Sequence, residues 1–281
     1  MKIGVSGASG QLGSGVVADL LSRGGHDVVA ISRTPENAPP GAEGRFGDYD
    51  DPQSLAKAYA GLDRLLIIPT SDLRRGRRGT QNVAAIDAAA EAGVKHVVFM
   101  SASGTRKEED PAVGASYWQG EQRLIATAPA WSILRMNYYA EALAQEAQMS
   151  LEGGALTGLA ENRVAFVSRE DVAAAAAGLL ATEGHEGAIY NATGPERLTG
   201  AERAAVVAEI TGKPMGFVTV TEEQLCGGMA QMGLPEDVVN TVASIQRNFA
   251  EGAFDIVTGD VERLSGRAPK PLRVVLAPTL T

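Results

Sequence analysis

Apolar and polar positions fall into short blocks that switch between two periods along the first two-thirds of the chain. Ile3, Val5 and their neighbours form a brief apolar run, and Leu12, Val16, Val17, Leu20 and Leu21 then recur at helical spacing. Gly24-Gly25 closes that helix, as glycine beyond a last turn does. Residues 28–32 and 42–46 read as the second and third strands. Asp51-Pro52 reads as an N-cap followed by proline at the first helical position, with Leu55 and Tyr59 continuing one face. A strand at 65–68, a helix at 80–92 ended by Gly93, a strand at 96–101, a helix around 117–127 and a strand at 131–135 follow. Residues 164–167 and 188–192 read as strands on either side of an alanine-rich helix at 169–182. Nearly all-apolar strands suit a parallel sheet covered on both faces, and the alternation predicts a doubly wound α/β fold.

The last 90 or so residues change character. Helices are expected around 200–211, 221–232 and 235–252, joined by pieces such as 217–220. The predicted division is a larger domain at 1–150, to which 163–192 returns, and a smaller substrate-side α/β lobe at 193–281 plus 151–162. Open α/β sheets bind ligands beyond their strand ends, so the lobe would wall one side of a crevice there. Met229 and Met232 share a helical face with Leu225, which reads as core or as a pliable pocket wall.

Composition narrows the function classes. The 281 residues are 44% apolar and 21% charged, an ordinary soluble globular balance. The net charge of −9, from 25 basic and 34 acidic side chains, disfavours nucleic acid as the main partner. Cys226 is the single cysteine, so no internal disulfide is expected and a cytoplasmic setting is the simplest reading. Met1 runs straight into the first strand, leaving no room for a signal peptide, and no apolar run reaches membrane-spanning length. His26, His96 and His185 lack ligand spacing, so no metal is expected, and no nucleophile elbow occurs.

The candidate chemistry begins at Gly7-Ala8-Ser9-Gly10-Gln11-Leu12-Gly13, which follows a predicted strand and opens a predicted helix. Gly7 would make the turn, Gly10 would admit a diphosphate to the backbone, and Gly13 would let the helix pack closely. Ser9, Gln11 and Leu12 complete this cradle at a helix N-terminus. About 20 residues on, where NAD-specific Rossmann proteins carry an acid, this chain has Arg33. An arginine fork grips a 2′-phosphate, which favours NADP(H) over NAD(H); the alternative is a solvated surface arginine. Asp48 is placed to accept from the adenine amino group, with Tyr49 near the base. Thr70, Ser71, Ser101 and Ser103 end strands where they would touch ribose, nicotinamide or substrate, or would simply form turns. The basic run at 74–78 reads as a solvated loop, or as an anion-attracting rim of the cofactor mouth.

Together these residues resemble the NmrA-like branch of the atypical short-chain dehydrogenases, and within it the type 2 NAD(P)H:quinone oxidoreductases. The resemblance spans nearly the whole chain. Besides the glycine loop, Arg33 and Gly47-Asp48, it rests on Ala92-Gly93-Val94-Lys95, on Leu134-Arg135-x-Asn137-x-Tyr139-x-Glu141, and on residues 184–190 with Ala192-x-Gly194. It implies a flavin-free enzyme passing a hydride from NADPH to a quinone. It equally implies relatives without turnover that act as NADP-sensing regulators, and a reductase of another conjugated substrate is a further alternative.

One departure bears on catalysis. Ordinary short-chain dehydrogenases pair a tyrosine with a lysine four residues on, but here Tyr117 is followed by Glu121. A carboxylate so placed would oppose the usual proton relay, and the spare Lys107 lies in a polar loop at 104–110. Quinone reduction needs mainly proximity, so Tyr117, Asn137, Tyr138 and Tyr139 are the candidate substrate-positioning residues, with at least one tyrosine expected in the core. A homodimer is left open.

Overall fold

The computed structural model describes residues 1–108 and 113–281; Asp110, at the end of the polar loop, lies outside them. Seven short, mostly apolar segments build one parallel sheet: β1 (Lys2–Ser6), β2 (Asp27–Ser32), β3 (Ala42–Phe46), β4 (Arg64–Ile67), β5 (His96–Ala102), β6 (Trp131–Met136) and, from much later in the chain, Ala188–Ala192. The order is β3-β2-β1-β4-β5-β6 followed by that last strand. β1 pairs with β2 on one side (Ile3 with Val28) and β4 on the other (Gly4 with Leu65). The chain thus winds outward from β1, returns, and winds the other way. The crevice beyond the β1 and β4 ends is the switch point where such sheets bind ligands.

Helices cover both faces. α1 (Gln11–Arg23) lies on one face, and α2 (Pro52–Tyr59), α3 (Arg77–Glu91) and α4 (Val113–Thr127) on the other. Asp51 caps α2 as expected, its carboxylate accepting from the N–H groups of Gln53 and Ser54. After α5 (Ala140–Ser150), β7 (Ala155–Gly158) and β8 (Arg163–Val164), α6 (Arg169–Ala181) packs beside α1, and Ala188–Ala192 is β9. The alanines 173–177 of α6 are all buried, and their small side chains let two helices meet closely.

The rest of the chain comprises β10 (Leu198–Thr199), α7 (Gly200–Thr211), β11 (Gly216–Thr219), α8 (Glu222–Gln231), α9 (Glu236–Ala250), α10 (Asp260–Ser265) and α11 (Leu272–Leu280). A separate apolar cluster holds this part together, with Leu143 and Ala147 of α5, Leu156, Val207, Phe249 and Leu276 among its members. β7 and β11 pair in parallel, and β8 and β10 pair antiparallel.

Several particulars differ from the sequence reading. Of the expected strand at 164–167 only Val164 joins a ladder, as the end of β8, because Ala165 and Val167 donate to Phe254 and Tyr138 instead. α5, drawn within 1–150, packs into the smaller cluster, whereas Val261 and Leu264 of α10 pack under the main sheet against α6. Met229 is buried, but Met232 is 73% exposed beyond the end of α8, so the pair does not form one wall. No helix of the described residues is long and apolar enough to cross a membrane.

Candidate functional site

The loop between β1 and α1 is shaped by its glycines. Gly7 has φ +92°, in the left-handed region, and the Gly7 and Ala8 N–H groups both donate to the Ile31 carbonyl at 3.1 Å. A Cβ on Gly13 would stand 2.2 Å from the Gly7 carbonyl oxygen, so only glycine lets α1 begin so close to the turn. Gly10 is the N-cap and offers no side chain to the first turn. The N–H groups at the start of α1 therefore remain available to an anion, with the helix dipole behind them.

This loop forms one wall of a cavity of about 770 Å³, at the large end for ligand clefts. Gly7, Ser9, Gly10, Gln11, Leu12 and Gly13 line it there; Arg33, Asp48, Tyr49, Thr70 and Ser71 line it further along. Arg33 is exposed at the rim and makes no ion pair with any described residue. Asp48 anchors the β3–α2 loop: its N–H donates to Ser54 Oγ at 2.9 Å and its Oδ1 accepts from the Asp50 N–H at 3.0 Å. The Tyr49 hydroxyl donates to the Ile68 carbonyl at 2.9 Å, and burial pushes its pKa well above the usual phenol value. Tyr49 thus braces the cavity floor in addition to facing it. Thr70 donates to Gln81 Oε1 at 2.6 Å, and Gln81 Nε2 donates to Asp50 at 2.9 Å, tying β4, α3 and the β3–α2 loop together.

At its inner end the cavity is lined by Met100, Met136, Tyr117 and Tyr139, with Arg78 and Arg169. The Arg78 guanidinium lies 5.7 Å from the centre of the Tyr117 ring, and that of Arg169 lies 4.9 Å from Tyr139. Burial, then the neighbouring Tyr117, raises the Tyr139 pKa; Arg169 opposes this without reversing it. Tyr139 therefore keeps its proton across the physiological range and can act as a hydrogen-bond donor.

A sequence profile of the NAD(P)H-binding family matches residues 7–183, which include the glycine loop, Arg33, both tyrosines and Arg169. The chain belongs to the NAD(P)H-binding family. Its NmrA-like character, read from the sequence, stands with it. Quinone oxidoreductase 2 of Escherichia coli is 30% identical over 90% of this chain and 89% of that protein. The NAD(P)H azoreductase of Xenophilus azovorans is 29% identical over 96% and 93% of the two chains. Among solved structures, the Escherichia coli NADPH-dependent quinone oxidoreductase in complex with NADPH superimposes with a TM-score of 0.92, at 28% identity, covering 99% of this chain and all of that one.

Four expected site residues of this family member sit off the cavity wall. Ser101 is fully buried and donates to Glu121 Oε1 at 2.6 Å. Ser103 is buried as well, and its hydroxyl has no hydrogen-bond partner among the described residues. Asn137 is 2% exposed, donates from Nδ2 to the Phe254 carbonyl and accepts from the Tyr138 N–H, so it ties β6 to the lobe. Tyr138 packs in an aromatic cluster, its ring centre 4.9 Å from Phe249 and 5.8 Å from Phe254, and burial pushes its pKa up to about 12. Tyr138 is the expected core tyrosine, and Tyr139 is the one that faces the cavity.

Glu121 also has a different role from the one its spacing suggested. Its two oxygens accept from Arg135 Nε at 2.8 Å and Nη2 at 2.6 Å, and Arg135 is raised further above its usual pKa by that partner. The carboxylate charge is met by Arg135 and not left facing Tyr117. Lys107 is exposed on its loop. Of the basic run, Arg74 and Arg78 reach the cavity, as the rim reading expected. Sequence reasoning missed Arg78 and Arg169 as members of the inner end, and missed Met100 and Met136. The usable signal was positional, since Met100, Met136 and Arg169 all lie near strand ends or a helix start on the crevice side.

Proposed function

We propose that the protein is an NADPH-dependent oxidoreductase that reduces quinones or similar planar acceptors without a flavin. The observation that carries this reading is one continuous cavity that joins an uncapped helix N-terminus, and an Arg33 unpaired among the described residues, to an end where Met136, Tyr117 and Tyr139 are flanked by Arg78 and Arg169. The residues fit a dinucleotide, because a side chain at Gly13 would close the cradle that its absence leaves open. The α1 N–H groups would hold the diphosphate, and Arg33 the 2′-phosphate. When bound, NADPH supplies the hydride. Met136 and the two tyrosines give a planar acceptor a surface to lie on, with the buried Met100 packed behind them. The protonated Tyr139 hydroxyl is placed to donate a hydrogen bond to an acceptor oxygen as negative charge builds there.

The quinone and azo acceptors named for the two relatives share this planarity, which is why the acceptor class is drawn broadly. The cofactor part has its own test. Arg33→Ala is expected to raise the Kd for NADPH by ~10–100-fold, the worth of one charge-assisted hydrogen bond, while leaving NADH within about threefold. Equal effects on both cofactors, measured by fluorescence titration, would assign Arg33 to the solvated surface. Turnover is tested by NADPH oxidation with flavin-free protein across a panel of quinones.

A further inference from the structure

The inner end of the cavity carries more positive charge than a neutral quinone calls for. Four arginines line the cavity: Arg33, Arg74, Arg78 and Arg169. Arg74 is paired with Asp72 at 2.5 Å, and Asp50 is taken by Arg77 at 2.6 Å and by Gln81. Arg33 lies beyond β2, where the 2′-phosphate is expected. Arg78 and Arg169 remain, and neither has a carboxylate within ion-pair distance among the described residues. Glu141 hydrogen-bonds the Arg169 backbone N–H at 2.9 Å but not its guanidinium. Arg78 Nε is itself buried and has no hydrogen-bond partner among the described residues.

Both guanidiniums lie against tyrosine faces, and the two tyrosines are close enough for Tyr117 to raise the Tyr139 pKa. A ring face steadies a guanidinium through its quadrupole while leaving the fork free to grip an oxyanion. Uncompensated cations in a partly enclosed cavity are costly unless an anion arrives with the ligand. The diphosphate and the 2′-phosphate have their own partners in the α1 N-terminus and Arg33.

We propose that the acceptor end selects planar acceptors bearing an acidic substituent, a sulfonate or carboxylate, which Arg78 and Arg169 bind while the ring lies against Met136 and the tyrosines. This rests on the oxidoreductase reading and narrows its substrate class. The net reaction is unchanged: one hydride, which carries both electrons, passes from NADPH to the acceptor, a proton comes from solvent, and the acidic group is a handle that neither forms nor breaks a bond.

The test uses two acceptors, menadione and naphthoquinone sulfonate, and two non-reducible ligands, naphthalene sulfonate and neutral naphthalene methanol. In the wild-type protein saturated with NADP⁺, naphthalene sulfonate is expected to bind at least ~10-fold more tightly than the neutral ligand, by fluorescence titration. Arg78→Gln and Arg169→Gln are each expected to erase most of that difference. They are also expected to raise the ratio of the KM for the sulfonated quinone to that for menadione by ~10-fold or more. Equal binding of the two non-reducible ligands overturns the proposal, as does a loss of NADPH affinity in both variants as large as the loss of sulfonate affinity, which would assign the arginines to the cofactor. Failure to reduce either quinone defeats the oxidoreductase reading instead, and the binding titration still decides the role of the two arginines.

Discussion

Gly13→Val is expected to weaken dinucleotide binding severely. The added side chain starts 2.2 Å from the Gly7 carbonyl oxygen and 2.8 Å from its carbon, and the obstacle is backbone that cannot rotate away. Relief requires α1 to move off the β1 turn, which pulls the first-turn N–H groups out of register with a diphosphate. Loss of two charge-assisted hydrogen bonds costs ~3–6 kcal/mol, so NADPH affinity should fall by ~100-fold or more. Stability should fall too, by at least the ~1–3 kcal/mol of ordinary overpacking. Titration calorimetry and urea denaturation read the two effects separately. Gly10→Ala separates the two readouts, because a Cβ there meets only the Gly7 oxygen at 3.4 Å and the fold should tolerate it, whereas the same methyl group would stand in the diphosphate cradle and weaken NADPH binding. Wild-type NADPH affinity in Gly13→Val would refute the assigned cradle.

Arg135→Met is expected to destabilise the fold by ~3–5 kcal/mol, because it leaves Glu121 buried without its cation. Glu121 holds three elements together: α4 through its own backbone, β6 through Arg135, and the end of β5 through Ser101. The double variant Glu121→Leu with Arg135→Met removes both charges and should recover most of the loss, since an apolar replacement of a buried pair is often neutral. Denaturant midpoints of the three variants give the coupling. A single Arg135→Met variant as stable as wild type would mean that the pair is solvated in solution. Because Glu121 and Arg135 act on packing, the folded variants should keep their NADPH affinity.

These two sites mark where the sequence was informative and where it was not. Gly7, Gly10 and Gly13 were legible because a local backbone requirement selects glycine at fixed spacing, and strand and helix follow within a few residues. Arg33 was legible for the same reason, as the residue just past a recognisable strand. Ser101 and Ser103 were not, because distant residues decide their environment: Glu121, 20 residues on, accepts from Ser101, and the Met136 carbonyl accepts from the Ser103 N–H. Neighbouring residues leaving a strand point to opposite sides, so only one of Tyr138 and Tyr139 could face the cavity. Sequence could not say which without the positions of Phe249 and Phe254. Arg78 and Arg169 are brought together by tertiary packing alone.

The fold shows the same division. The sheet and its flanking helices were read nearly whole, since period and glycine stops were both present. α5 was missed because its N-cap, Tyr139, makes no side-chain cap, so no start signal precedes it. α11 was missed because Pro271 and Pro278 bracket or interrupt it, and proline usually argues against helix. Its place is secured by Leu272 and Leu276 in the lobe cluster, a tertiary cause.

The central claim is direct reduction of a planar acceptor by bound NADPH. Purified protein, shown free of flavin by its visible spectrum, should oxidise NADPH in the presence of menadione, with one hydroquinone formed per NADPH consumed over many turnovers. Tight NADPH binding without oxidation, on menadione or any other quinone, would contradict the account and point to an NADP-sensing regulator.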